Sequence, residues 1–327
     1  MKIGNVSQTV LRRSILKQLH TRRDEAVIHP SVEEMCAAIR VKDEQVVFTN
    51  VSIFGDEKDL AVFAMAHALN DLATRGASPV GVSLSILLPP HAYESRLKTM
   101  VEHAERTAKE QKIEILSAKA EVSPVISKAI VTVVGIGTVE EDGLLQSSAG
   151  KAGQDVVLLK WIALEGMLRI AREKEEELAK RFVPAFLNQI KEQQIHLLSV
   201  RELVRAKEFG VSAMHQISEG GILAALWNLT EAAGTGIEVD LKKIAVKQET
   251  IEVCEYFHLN PYQMTSTGSV LLVTDDGEGL VSMFEKEGVH AAMIGRLTNG
   301  NDKVIFNDSE KRFIDRPAQD ELLKIFE

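Results

Sequence analysis

The chain has 327 residues, 45% hydrophobic and 26% charged, which supplies apolar surface for two cores and excludes a disordered or low-complexity protein. A net charge of −9 and an isoelectric point near 5.6 oppose nucleic acid as a main partner, because counterion release needs a basic surface. Cys36 and Cys254 form neither a CxxC pair nor a disulfide framework, and no apolar leader or run of about 18 apolar residues is present, so the expectation is a cytoplasmic protein with no membrane partner.

In chain order, residues 8–20 space Val10, Leu11, Ile15 and Leu19 as an amphipathic helix with basic residues between. Two short apolar runs, Cys36–Val41 and Gln45–Thr49, flank Lys42-Asp43-Glu44 and read as a hairpin, with a helix to follow near Asp56. Residues 59–75 are apolar almost all round, the mark of a buried helix, and Gly76 ends it. A strand follows Pro79 up to Pro89-Pro90, then a charged helix over 92–111, a strand at 113–117 and a long strand at 128–139.

The Gly- and Ser-containing loop 140–154 is the expected domain boundary. Beyond it the pattern gives a strand at 155–161, a helix from Ala163 into the solvated run 172–181, and helices at 180–194 and 198–209. A strand at 212–215, a helix at 220–233, a strand at 237–239 and a helix at 248–257 follow. The last third alternates strand, helix, strand, strand in SVLLVT, EGLVSMFEKEG, HAAMIGRL and KVIFN, so the fold class is mixed α/β.

Several stretches could carry chemistry. Ser218-Glu219-Gly220-Gly221 stands between a strand and a helix, where free N–H groups favour an anion; the same residues also suit a tight turn. Asn70-Asp71 closes the buried helix, and a buried carboxylate needs a cation or several donors, so Asp71 reads as a metal or phosphate residue or as a capping partner. His67 lies one turn earlier and could share a metal with it. Gly135-Ile136-Gly137 lacks the helix of a dinucleotide fingerprint and reads as a bulge or close packing, and no GxxxxGK[ST], HExxH or GxSxG occurs.

Taken together, NDLATRGASPVGVSLSILLPP (70–90), EILSAKAEVSPVISKAIVTVVGIGTV (114–139), AGQDVVLLKWIALEG (152–166) and AMHQISEGGILAALWNLTEAAGTGIEVDL (213–241) resemble one superfamily. It is that of aminoimidazole ribonucleotide synthetase, selenophosphate synthetase, thiamine-monophosphate kinase and the hydrogenase-maturation carbamoyl dehydratase. IEVCEYFHLNP (251–261) and STGSVLLV (266–273) extend the likeness, which leans to the last branch. The resemblance implies a two-domain PurM-like α/β (α+β) fold. Residues 1–150 would form a mixed sheet that pairs into a homodimeric barrel, and residues 151–327 an α/β sandwich domain. ATP and Mg²⁺ would sit between the domains, the metal held by carboxylates because it prefers hard oxygen ligands.

Several family positions differ here. The acidic stretch corresponds to Glu33-Glu34-Met35-Cys36-Ala37, placing Met35 where a key Asp stands. The Thr-Asp position reads Thr49-Asn50, the Gly-Gly-Asp/His-Thr stretch reads Ser117-Ala118-Lys119-Ala120, and the His-Asp-x-Thr-x-Gly-Gly stretch reads His215-Gln216-Ile217-Ser218-Glu219-Gly220-Gly221. Asp71 and Glu34 are the carboxylates left for a metal. The branch's C-terminal cysteine has no counterpart in Leu322-Leu323-Lys324-Ile325-Phe326-Glu327, and Cys254 reads as a small buried hydrophobe.

These departures predict a homologue that keeps the scaffold and the homodimer and serves as a binding or regulatory subunit. Its ATP and Mg²⁺ binding would be weak or absent, and its partner a maturation-system protein or an intact paralogue. The alternative is an ATP-dependent ligase, kinase or dehydratase with an altered phosphate site, in which Lys119 supplies charge and Asp71 with Glu34 hold one metal. A third reading seats an unrelated anion at Gly220-Gly221. The candidate ligand residues are thus Asn50, Asn70, Asp71, Lys119, Ser218, Glu219, Gly220 and Gly221. Trp161, where relatives commonly carry Gly, either packs in the core or stacks a ring.

Overall fold

Strand patterns of two kinds govern the architecture, one alternating and one continuously apolar. The computed structural model describes residues 8, 9, 12, 26–28, 31–33 and 37–326. They divide into two units: 26–28 with 37–144, and 145–326 with 8, 9, 12 and 31–33. Residues 8, 9 and 12 are helical, and the rest of the helix expected over 8–20 lies outside the described residues, as do Glu34, Met35 and Cys36.

The smaller unit is a six-stranded sheet. Its strands in chain order are β1 (Ala26–Ile28), β2 (Ala37–Val41), β3 (Glu44–Gly55), β4 (Ser78–Leu88), β5 (Glu114–Val122) and β6 (Ala129–Glu140), arranged in space as β1-β2-β3-β6-β4-β5. All neighbours are antiparallel except β4 and β5. Helices α1 (Leu60–Thr74) and α2 (Glu94–Gln111) pack together, with α1 lying on β3 and β6. In β3, Val47, Thr49, Val51 and Ile53 are buried, while Phe48, Asn50 and Ser52 alternate with them and are exposed.

That alternation carries β3 on to Gly55, six residues beyond the expected strand end, and delays the helix to Leu60. Strand β5 likewise runs to Val122 rather than 117, because parallel pairing with β4 supplies its ladder even though its side chains are largely exposed. Gly135 sits in the middle of β6, where an added Cβ would lie 3.2 Å from both Ala68 Cβ and Leu72 Cδ1 of α1, so this glycine marks close packing.

The larger unit adds β7 (Asp155–Leu159), β8 (Ala213–Gln216), β9 (Gly236–Asp240), β10 (Val270–Thr274), β11 (Ala291–Thr298), β12 (Lys303–Asn307) and β13 (Glu310–Phe313), in spatial order β13-β12-β9-β11-β7-β10-β8. Every residue of β7 and β10 is buried, which explains their continuous apolar runs: both faces are covered. Val156 and Leu158 join Leu271, Val273, Leu226 and Leu229 in one core, with helix α7 (Gly221–Ala233). Val157, Leu159 and Leu272 are buried on the alternate face, and α9 (Gly277–Lys286) packs on β7, β10 and β11 with Leu280 and Phe284 buried.

The remaining helices are α3 (Leu164–Glu173), α4 (Glu175–Arg181), α5 (Pro184–Glu192), α6 (Val200–Phe209) and α8 (Gln248–Tyr256). The loop expected over 140–154 carries two short 3₁₀ turns, Glu141–Gly143 and Ser147–Ala149. Among the described residues no helix is long and apolar enough to cross a membrane.

Candidate functional site

All fifteen residues of α1 are buried, so its polar side chains must find partners within the protein. Asp71 is 1% exposed; its Oδ2 accepts a hydrogen bond from Thr49 Oγ1 at 3.0 Å and lies 3.8 Å from His67 Nε2. Thr74 Oγ1 donates to the Asp71 carbonyl at 2.7 Å. Asn70 is fully buried beside them. The knot therefore ties α1 to strand β3 through Thr49, whose side chain points to the helix-covered face.

Asn50, the next residue, points the opposite way. Cross-strand pairing sets Asn50 beside Val134 and Ser83, and Lys119 beside Ser85 and Thr132, on the face of the same sheet opposite α1. Both side chains are exposed, and three strand spacings separate β3 from β5, about 14 Å. The structure thus brings His67, Thr49, Asn70 and Asp71 together and holds Asn50 and Lys119 apart from them. Mg²⁺ takes near-octahedral oxygen coordination, and among the described residues no group of three or more His, Cys, Asp or Glu side chains is placed to hold a metal ion. As placed, Asn50 and Lys119 stand on the face opposite Asp71, so these residues do not converge on one Mg²⁺–nucleotide centre; Glu34, the other expected carboxylate, lies outside the described residues.

In the larger unit, Ser218 to Gly221 link β8 to α7 as the sequence suggests. Gly220 and Gly221 take φ of 80° and 67°, and a Cβ on Gly221 would lie 2.5 Å from the Tyr262 carbonyl oxygen, so only glycine fits the turn. Ser218 is half-buried and Glu219 is exposed. The N–H of Gly220 donates to Asp320 Oδ2 at 2.6 Å, and Asp320 Oδ1 accepts from Leu322 N at 2.9 Å. The position that a helix start offers to an anion is taken by a carboxylate of this chain.

Burial pushes the Asp320 carboxyl up to about 7; Glu219 and Glu165 add to the rise, while the two N–H donors oppose it. Glu165 is itself buried, its Oε2 accepting from Thr265 Oγ1 at 2.6 Å and its Oε1 lying 3.6 Å from Arg169 Nη1. His215, in β8, is buried with Nδ1 3.1 Å from Ser147 Oγ. Neither Asp320 nor Glu165 carries a sequence signal, since their partners lie up to a hundred residues away and no local motif surrounds them.

The N-terminal domain model of AIR synthase related proteins matches residues 23–139, and the C-terminal domain model matches residues 151–307. A putative hydrogenase expression/formation protein of Methanocaldococcus jannaschii is 25% identical over 98% of this chain and 97% of its own length. Among solved structures, HypE in a HypE–HypF complex superposes with a TM-score of 0.71 at 20% identity, covering 86% of this chain and 93% of that one. The hydrogenase maturation protein HypE in complex with ATP gives 0.69 at 14% identity, covering 99% and 98%. With both family models matched in order along the sequence and the PurM-like fold shared, the chain belongs to the AIR synthase related family.

Proposed function

We propose that this chain is a binding or regulatory member of the hydrogenase-maturation branch of its family, one that keeps the scaffold without turning over Mg²⁺–ATP. The carrying observation is the placement of Asp71. A metal-holding carboxylate must present its oxygens to the ion, whereas Asp71 is 1% exposed and turned into a hydrogen bond with Thr49. Asn50 and Lys119, the residues that would complete a phosphate site, stand on the other face of the sheet.

The scaffold would act as a homodimer through the face opposite α1, where Ile39, Val41 and Phe48 are exposed apolar side chains on adjacent strands. Its further partner would be a protein of the maturation system, a reading supported by the solved HypE–HypF complex, or an intact paralogue. The cytoplasm is the proposed compartment. The competing reading, an ATP-dependent enzyme of ligase, kinase or dehydratase type, draws on the solved HypE–ATP complex. Phosphate release from Mg²⁺–ATP separates the two. The natural protein and its Asp71→Asn variant are expected to be indistinguishable from the buffer rate; turnover that the substitution abolishes would establish the enzyme instead.

A further inference from the structure

Trp161 follows strand β7 and sits half-buried among three basic side chains contributed by distant segments, His290, His196 and Lys247. The His290 imidazole stacks on the indole with centroids 5.0 Å apart and planes 7° from parallel. His196 meets the ring edge-on at 5.1 Å. The Lys247 ammonium lies 3.8 Å from the indole centroid, a cation–π contact. Lys160, the preceding residue, is 3% exposed and directs its ammonium to the carbonyls of His196 and Leu198, to Ser199 Oγ and to Glu202.

The cluster is held in place independently of any ligand. Ser269 Oγ donates to the Trp161 carbonyl at 2.5 Å, and Lys160 N donates to the His290 carbonyl at 2.9 Å. Its charges are unevenly matched. Glu202 answers Lys160, and exposed Glu285 faces His290, but Lys247 makes no ion pair among the described residues. His290 Nε2 is buried without a hydrogen-bond partner, an unfavourable state for a polar atom. Lys247, His196 and His290 each keep part of their surface exposed.

We propose that Lys247, His196 and His290 around Trp161 form a binding site for a phosphate group, free or esterified, and that the site takes up protons from solvent as the anion binds. A phosphate offers several acceptor oxygens and up to two negative charges, matching one ammonium and two imidazoles that can each become cationic donors. Without an anion, protonating either imidazole sets it against Lys247, and His196 also against Lys160. Burial first, then Lys160 and Lys247 for His196 and Lys247 for His290, hold both histidines below the ordinary histidine range, against the opposing pull of Glu202 on His196 and Glu285 on His290. A bound phosphate reverses that balance, so occupancy and protonation rise together. The inference does not rest on the reading of the Asp71 region, since its residues belong to the larger unit alone.

Indole fluorescence tests it, because an imidazolium in contact quenches indole emission. In a Trp227→Phe background Trp161 is the sole reporter, and intensity is followed from pH 8 to pH 5 in chloride and in pyrophosphate at matched ionic strength. The expected quenching midpoint in chloride lies below about 6.5, and pyrophosphate should raise it by at least half a pH unit. The pyrophosphate dissociation constant should tighten about tenfold between pH 7.5 and 5.5. Lys247→Met should abolish the pyrophosphate shift, and Lys247→Arg should retain it; circular dichroism confirms that both fold. Equal midpoints in the two salts, or a pyrophosphate shift that survives Lys247→Met, would overturn the proposal. An inorganic phosphate arm compared with a phosphate monoester then identifies which form the site prefers.

Discussion

Asp320 places a carboxylate against the Gly220 N–H, 2.6 Å away, at the start of a helix whose sequence suggests an external anion. Its carboxyl rises from 3.8 to about 7 in the folded chain, so the folded state binds a proton more tightly than the unfolded state. The associated stability is fully present below about pH 4 and is lost as pH rises to about 7, on the order of 4 kcal/mol from this group. Urea denaturation of the natural protein should therefore show about 2 kcal/mol more loss between pH 5 and 7 than the Asp320→Asn variant; parallel profiles would refute the assignment. Gly221→Ala, with φ of 67° and a Cβ 2.5 Å from a carbonyl oxygen, should cost about 3 kcal/mol and lower Tm by several degrees in a scanning calorimeter. The Ser218–Gly221 turn was legible because glycine pairs report backbone demands locally. Asp320 was not, because its partner is a hundred residues away and a lone carboxylate in a polar tail carries no periodic signal.

At the scale of elements, α1 was readable almost to its ends because burial on every side requires apolar residues on every side. The same burial explains Gly135, which lets α1 approach β6. Gly135→Val should overpack against Ala68 and Leu72 and destabilise the smaller unit by about 1–3 kcal/mol, measurable as a lower Tm, although its backbone conformation tolerates the substitution. Strands β1 and β13 escaped the sequence reading. One has three residues and the other is the fully exposed EKRF, so neither shows an apolar alternation; each exists because a neighbouring strand offers a ladder to pair with. For the candidate residues the same limit holds: alternation along β3 implies that Thr49 and Asn50 face opposite ways, but which of them meets Asp71 depends on where α1 packs.

At the scale of the whole molecule, the exposed apolar side chains on the sheet face opposite α1 and the internal use of Asp71 and Asp320 bear on one question: what the inherited scaffold now does. If that face joins two copies, replacing Phe48 with Lys should convert a dimer of about twice 36.1 kDa to a monomer in light scattering, and an unchanged mass would count against the interface. The most direct test of the central claim is the melting temperature with millimolar ATP, with and without Mg²⁺. A ligand that binds the native state at a hundred times its Kd adds about 2.7 kcal/mol, enough to move Tm by several degrees. No Mg²⁺-dependent rise is expected, because Asp71 is committed to Thr49 and His67 inside the fold; a rise of several degrees that requires both ATP and Mg²⁺ would contradict this.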